Sequence, residues 1–228
     1  MTDKRETELR SYGRRRGRKP SDRQAELLRD YLPKVAVDFG CAPDSLLPSG
    51  EGGRPLWLEI GFGGGEHLVW QARQNPHVAF IGCEPFEDGV VKVLGKIADE
   101  NLGNIRLHMG DARDVMRWLP EASVARAFIL FPDPWPKKKH RKRRLVNPQT
   151  LDLLADAMAP GAELRIGTDI ADYARTMLLA FQSEPRFEWQ AASPQDWRLR
   201  PSDWPPTRYE QKAEREGRRR YYFKFQRI

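Results

Sequence analysis

Leu56-Trp57-Leu58-Glu59-Ile60 runs straight into Gly61-Phe62-Gly63-Gly64-Gly65, and a helical pattern follows from about 65 to 74. An apolar run broken by glycines and resumed as a helix opens a parallel β-α-β unit, because glycine permits the tight turn and the close backbone approach. Set against the dinucleotide fingerprint GxGxxG, Gly61 and Gly63 fit but the third glycine falls on Glu66. A carboxylate there opposes a pyrophosphate at the positive end of the helix, so NAD is disfavoured.

Outward from this turn, apolar runs at 78–84, 105–109, 124–131 and 163–169 alternate with helical patterns. The helices fall at 86–100, around Val115, Met116 and Leu119, from Asn147-Pro148 through Met158 to a stop at Pro160-Gly161, and at 170–182. Five strand-helix units in succession predict a parallel sheet, since each parallel crossover needs a helix. Two further runs, 186–190 and 218–226, flank a Pro/Trp-rich loop and a polar helix near 208–216, and are expected to pair antiparallel. The predicted fold is α/β and Rossmann-like: a mostly parallel seven-stranded sheet with helices on both faces and an antiparallel strand near the C-terminus. Upstream, Ser21 and Gln24 form a capping box for a short helix through Leu27, Leu28 and Tyr31 that ends near Pro33. Pro, Gly and Ser crowd the connection 41–54. The chain thus divides into a basic arm with a short helix, 1–53, and a main domain, 54–228.

In such a sheet the ligand crevice lies beyond the carboxyl ends of the strands. Three of those ends carry acids: Glu59 before the glycines, Glu84 after the second strand and Asp111 after the third. A ligand with a sulfonium and an ammonium group suits them better than a pyrophosphate does. Glu59 is expected to hold its amino-acid end, Gly61 and Gly63 to let it approach the backbone, Glu84 to accept both ribose hydroxyls and Asp111 to accept from the adenine amino group. The expected cofactor is S-adenosyl-L-methionine. Each acid alone reads as readily as a helix N-cap; three in register with a glycine turn do not.

The chain's 39 Lys and Arg exceed its 32 Asp and Glu, but the excess is local. Residues 1–24 carry +5, Lys137–Arg144 (KKKHRKRR) +7 and Arg208–Ile228 +5, which leaves −10 for the rest. An acidic body with three basic segments suits a cationic or neutral ligand inside and a polyanion at the rim. Any one basic run reads equally well as a solvated face. Lys139, His140, Arg141, Lys142, Arg143 and Arg144 are the sharpest RNA-binding candidates, because adjacent cations repel one another until phosphate neutralises them. No apolar stretch reaches the roughly 20 residues of a membrane span, and no apolar run follows the basic start. A cytoplasmic protein with no membrane attachment is expected, as a monomer or homodimer. Cys41 and Cys83 are too few for a disulfide framework, and no Cys/His cluster has zinc spacing, so no metal is expected.

Over residues 54–226 this order of motifs resembles the class I S-adenosylmethionine-dependent methyltransferases. FPDPWPKKKHRKRRLV (131–146), with Gly167-Thr168-Asp169 and Thr207-Arg208-Tyr209-Glu210, is similar specifically to the tRNA (guanine-N7-)-methyltransferase family. The arm RSYGRRRGR extends the likeness to nearly the whole chain. The resemblance implies methyl transfer to N7 of guanine at position 46, in the variable loop of tRNA. It implies Asp133 as the catalytic residue, also near the cofactor, and substrate contacts at Lys137, Asp169, Thr207, Arg208, Tyr209 and Glu210. Asp169 ends the fifth strand and so faces the crevice on geometry as well. Thr207 to Glu210 read by themselves only as a helix start capped by Thr207. Many relatives have His between the Trp and Lys of the motif where this chain has Pro136, so a base at that position is not essential.

Asp133 lies between Pro132 and Pro134, with few local amides to cap. Guanine N7 presents an in-plane lone pair and no proton, so its methylation needs no base and reduces to alignment and electrostatics. Asp133 is expected to accept from a guanine N–H edge, fix the base and favour its developing positive charge. Trp135 either stacks on the base or packs behind the loop. The base must be unstacked to reach the pocket while the basic run grips phosphates and the arm folds onto RNA. Two other readings compete. An N6-adenine or other amino methyltransferase uses a [DN]PP[YFW] loop, whereas Asp133 is followed by Pro-Trp. An inactive RNA-binding relative has no need to keep Glu59, Gly61, Gly63, Glu84, Asp111 and Asp133 together.

Overall fold

The computed structural model describes residues 15, 17, 19–43 and 53–228. Most of the arm and the middle of the connection 41–54 lie outside the described residues, and with them the expected folding of the arm onto RNA.

Side chains alternate across a strand, and this decides which face of the sheet each residue serves. In β1 (Leu56–Ile60), Leu56, Leu58 and Ile60 enter one buried cluster while Trp57 packs on the other side. The same alternation in β4 (Val124–Leu130) sends Ala127 and Ile129 one way and Phe128 and Leu130 the other. β2 (Ala79–Cys83) and β3 (Ile105–His108) extend the sheet on one side of β1, and β5 (Met158–Thr168) lies beyond β4, all parallel. β7 (Tyr221–Arg227) runs antiparallel to β5, and the short β6 (Phe187–Trp189) antiparallel to β7, giving the order β3-β2-β1-β4-β5-β7-β6. The seven strands, the parallel majority and the antiparallel end are those predicted.

Helices α3 (Glu66–Gln74) and α4 (Glu87–Glu100) cover one face through Leu68, Val69, Val90, Leu94 and Ile97. α5 (Ala112–Trp118), α6 (Pro148–Ala157) and α7 (Ala171–Gln182) cover the other through Val115, Leu151, Leu154 and Met177. Each such side chain contributes about 1.5–3 kcal/mol when fully buried. Asn147 caps α6 as expected, its Oδ1 accepting from Thr150 N–H at 3.0 Å with Pro148 in the first turn.

One helix type and one boundary differ from expectation. The helix opened by the Ser21 capping box, α1 (Asp22–Glu26), leads to an end near Pro33 as expected, at Val35, but not as one regular helix. A π-helical turn, Leu27–Tyr31, intervenes and α2 (Leu32–Val35) carries the chain through the proline, the wider turn accommodating the ring and the missing N–H. Leu27, Leu28, Tyr31 and Leu32 pack against the α3–α4 cluster, and Ala36 bridges to Leu107 at the sheet edge. The second difference is at Pro160-Gly161, expected to end α6. The helix ends at Ala157, and Met158 already pairs with Val124, so the Pro-Gly pair forms an irregularity inside β5.

Candidate active site

Strand order reverses between β1 and β4, and the crevice opens at their carboxyl ends. Gly61, at φ +75°, donates its N–H to Cys83 O at 2.8 Å, and no atom lies within 4 Å of where its Cβ would stand, so the turn leaves open space over its first glycine. Gly63 N–H donates to Glu84 Oε2 at 2.8 Å and Phe86 N–H to Glu84 Oε1 at 3.0 Å. Burial raises the Glu84 pKa, the two amides oppose it, the charge of Asp133 adds to the rise and that of Arg208 counters it. Glu84 therefore senses the loop after β4 and the helix start at 208, groups far apart in sequence. α4 presses on the turn from behind: a Cβ on Gly89 would stand 2.2 Å from Gly63 O.

Glu59 lies beneath the turn rather than open to the crevice. It is only 3% exposed, and its Oε2 is 2.7 Å from His67 Nδ1. His67 thus takes one carboxylate oxygen of Glu59 directly below the glycines. Asp111 caps α5 with Oδ1, accepting from Arg113 N at 3.0 Å, and its two oxygens take the Arg113 side chain as well. Burial pushes its pKa up, but the Arg113 guanidinium and amide outweigh this and hold it below the usual value. The open space over Gly61, the lone pairs remaining on Glu84 and the surplus negative charge fit a cationic ligand bearing hydroxyls.

After β4 the backbone takes two left-handed residues, Phe131 at φ +53° and Trp135 at φ +43°. Phe131 N–H donates to Gly167 O at 2.7 Å, tying the loop to β5. Between the two lies Asp133, which makes no hydrogen bond or ion pair to the described residues. The residue is exposed at the surface, and desolvation by the atoms packed around its carboxyl raises its pKa. Trp135 packs behind the loop: Arg143 Cζ lies 5.0 Å from its ring centre and His140 meets it edge-on.

The basic run winds as a 3₁₀ helix, Lys138–Arg143, after the exposed Lys137. Lys139, Arg141 and Lys142 are exposed, although Arg141 also donates to Asp172 Oδ1 at 2.9 Å. Desolvation, then Arg143, Lys139 and Lys137, lower the His140 pKa and favour its neutral form. Arg144 departs from the RNA-binding expectation. It is 2% exposed, and its guanidinium donates to Pro134 O at 2.8 Å, Thr176 Oγ1 at 2.6 Å and Asp172 Oδ2 at 2.5 Å while lying 4.7 Å from the Tyr173 ring. With each guanidinium nitrogen engaged and the side chain enclosed, it anchors the loop instead of reaching phosphate.

Asp169 follows β5, and Arg218 Nε lies 2.7 Å from its Oδ2. Helix α9 (Arg208–Arg215), which follows the short α8 (Gln195–Arg198), begins above the glycine turn: Tyr209 Cε2 lies 3.2 Å from the Cβ position of Gly63, and Arg208 Nε is 3.7 Å from Glu66 Oε1. Thr207 caps α9 by accepting from Glu210 N–H at 3.2 Å. Glu210 turns inward, its Oε1 accepting from Tyr222 OH at 2.5 Å; Oε2 is buried with no hydrogen-bond partner among the described residues. Burial and Glu210 together raise the Tyr222 pKa, so the phenol keeps the proton it donates. The structure thus gathers Gly61, Gly63, Glu84, Asp133, Arg208 and Tyr209 about one crevice, with Glu59 beneath it.

Sequence reasoning missed His67, Gln71 and Asp172. His67 and Gln71 stand four apart in α3, and that spacing puts both on one face. Asp172, three residues beyond Asp169, carries no local signal of pairing with Arg144.

The strand order with a glycine turn and acid-lined crevice defines a class I, Rossmann-like methyltransferase fold. The solved structure of the 16S rRNA methyltransferase KamB shares it, with TM-score 0.56 at 16% identity over 81% of this chain and 92% of that one. A family model described as a putative methyltransferase matches residues 53–223. The tRNA (guanine-N(7)-)-methyltransferase of Jannaschia sp. is 50% identical over 223 residues, covering 94% of this chain and 93% of the relative. That of Rhodospirillum rubrum is 44% identical, covering 100% of this chain and 91% of the relative. The chain belongs to the tRNA (guanine-N(7)-)-methyltransferase family.

Proposed function

We propose that this protein transfers a methyl group from S-adenosyl-L-methionine to N7 of guanine in tRNA, at position 46 of the variable loop, in the cytoplasm. One observation carries the reading: a carboxylate, Asp133, stands unpaired at the crevice mouth on a loop clamped at both ends. Such a group is held ready for a partner that arrives from outside.

S-adenosyl-L-methionine supplies an electrophilic methyl group on a sulfonium. The chain's own residues bind and orient. Gly61 opens the floor of the crevice, Glu84 offers acceptors for vicinal hydroxyls, and Glu59 with Glu84 lends a negative field to a cation. Asp111, engaged by Arg113, contributes charge and an edge for the adenine. Asp133 accepts from the guanine N–H edge, so that N7 is aimed at the methyl group and the positive charge passed to the purine is stabilised. No residue needs to remove a proton from N7. Tyr209 and Arg208 close over the turn, Asp169 and Lys137 flank the entrance, and Lys139, Arg141, Lys142 and Arg143 receive the backbone phosphates.

The test is incubation of the protein with labelled S-adenosyl-L-methionine and unmodified tRNA, followed by nucleoside analysis. The expected product is 7-methylguanosine. Label in N6-methyladenosine would favour the amino-methyltransferase alternative, and cofactor binding without transfer would favour an inactive RNA-binding relative.

A further inference from the structure

A buried polar chain runs from the end of β1 to the start of α9. Glu59 Oε2 is 2.7 Å from His67 Nδ1, His67 Nε2 is 3.1 Å from Gln71 Nε2, and Gln71 Nε2 donates to Asp203 O at 2.8 Å. The next residue continues it: Arg200 donates to Trp204 O at 2.6 Å and its Nε lies 3.2 Å from Glu210 Oε1. Gln71 Oε1 accepts from Asn75 Nδ2, which fixes the amide orientation. Its Nε2 therefore donates to His67 Nε2, leaving the imidazole proton on Nδ1, where it donates to Glu59. Glu59, His67, Gln71, Trp204 and Glu210 are each no more than 3% exposed.

The two ends of this chain meet again at the front of the site. Glu59 is two residues before Gly61, and Glu210 anchors the helix start whose Tyr209 lies over Gly63. At the back, α9 is tied by buried hydrogen bonds. At the front it meets the turn through the exposed Tyr209 and through Arg208, which lies over Gly63 and 3.7 Å from Glu66 Oε1. Members of a buried network support one another, and breaking one leaves its neighbours unpaired. A shift of the glycine turn is thus felt at α9, and the reverse.

We propose that His67, Gln71 and Arg200 are positioning residues that couple the cofactor turn to α9, so that cofactor and tRNA bind with positive cooperativity. This rests on the assignment of the crevice to S-adenosyl-L-methionine and of α9 to the tRNA side. Neither His67 nor Gln71 touches the reacting atoms; both act through the placement of the turn and the helix.

The test is calorimetric titration of S-adenosylhomocysteine into the full chain with and without saturating tRNA, which requires no turnover. Wild type is expected to bind it about ten-fold more tightly with tRNA present. Gln71→Met and Arg200→Met are expected to bind each ligand alone within about two-fold of wild type while losing most of that factor. His67→Asn keeps a donor for Glu59 but cannot reach Gln71, and should behave as Gln71→Met does. Should Gln71→Met fail to fold, Arg200→Met, broken at the half-exposed end, carries the test alone. Full cooperativity in Arg200→Met and Gln71→Met, or none in wild type, would show that the network only packs the core. No S-adenosylhomocysteine binding by wild type would instead overturn the assignment of the crevice, and the coupling with it.

Discussion

Arg144 Nε donates to the carbonyl oxygen of Pro134 at 2.8 Å, so a buried cation from the basic run holds the residue next to Asp133. Arg144→Met removes the donors to Pro134, Thr176 and Asp172 together. Asp172 is half exposed and keeps Arg141 as a partner, so the loss falls on the hydrogen bonds to Pro134 O and Thr176 Oγ1, and about 1–3 kcal/mol is expected. Misplacement of Asp133 should lower kcat by about a hundred-fold. Thermal melting and steady-state kinetics check this, and an unchanged kcat would refute the anchoring role.

Lys139 and Lys142 are exposed members of the same run and should behave in the opposite way. Replacing both by Ala is expected to raise the KM for tRNA and reduce the slope of log affinity against log salt by about one per residue. Melting temperature and cofactor affinity should not move. A filter-binding salt series decides; an unaltered slope marks these two as a solvated face.

Asp133 has a raised pKa in the folded state, so its acid limb in the rate–pH profile should lie above the ordinary aspartate value of 3.8. Since the folded state holds the proton more tightly than the unfolded one, this group's contribution to stability falls as pH rises through the window between the two pKa values. The ionised group thus opposes folding at neutral pH. Asp133→Asn is expected to lose methyl transfer by about a hundred-fold or more while melting at or slightly above wild type at pH 7, the advantage vanishing below about pH 3.8. Melting curves at both pH values, with turnover alongside, test it; lost stability together with full activity would contradict the assignment.

Gly89→Ala is a small change with a large expected effect on the cofactor. The new Cβ would stand 2.2 Å from Gly63 O, and backbone must move to relieve it. A loss of cofactor affinity by at least ten-fold is expected, equivalent to about 1.4 kcal/mol. Calorimetry with S-adenosylhomocysteine measures it.

The strand-turn-helix reading placed β1 and α3 closely, because apolar run, glycines and helical period all pointed one way over a few residues. The π-helical turn before Pro33 is not legible, because it answers a backbone problem that composition does not display. Arg144 reads like its neighbours because a run of cations looks uniform in sequence. Nothing local tells the cation enclosed against Tyr173 and Asp172 from its more exposed neighbours. Thr207 and Glu210 looked like an ordinary capped helix, and Thr207 is one; the inward turn of Glu210 depends on Tyr222, a strand away.

By itself the sequence determined what is periodic or local: the alternation of strands and helices, the glycine turn, the acids at strand ends and the separation of charge into an acidic body and basic segments. Tertiary structure decided which charges meet. It buried Glu59 under the turn against His67, closed Asp111 on Arg113, left Asp133 unpaired, and drew Arg144 inward to hold the loop. Backbone periodicity is written over a few residues, whereas the partner and the hydration of a side chain depend on groups brought near only by the fold.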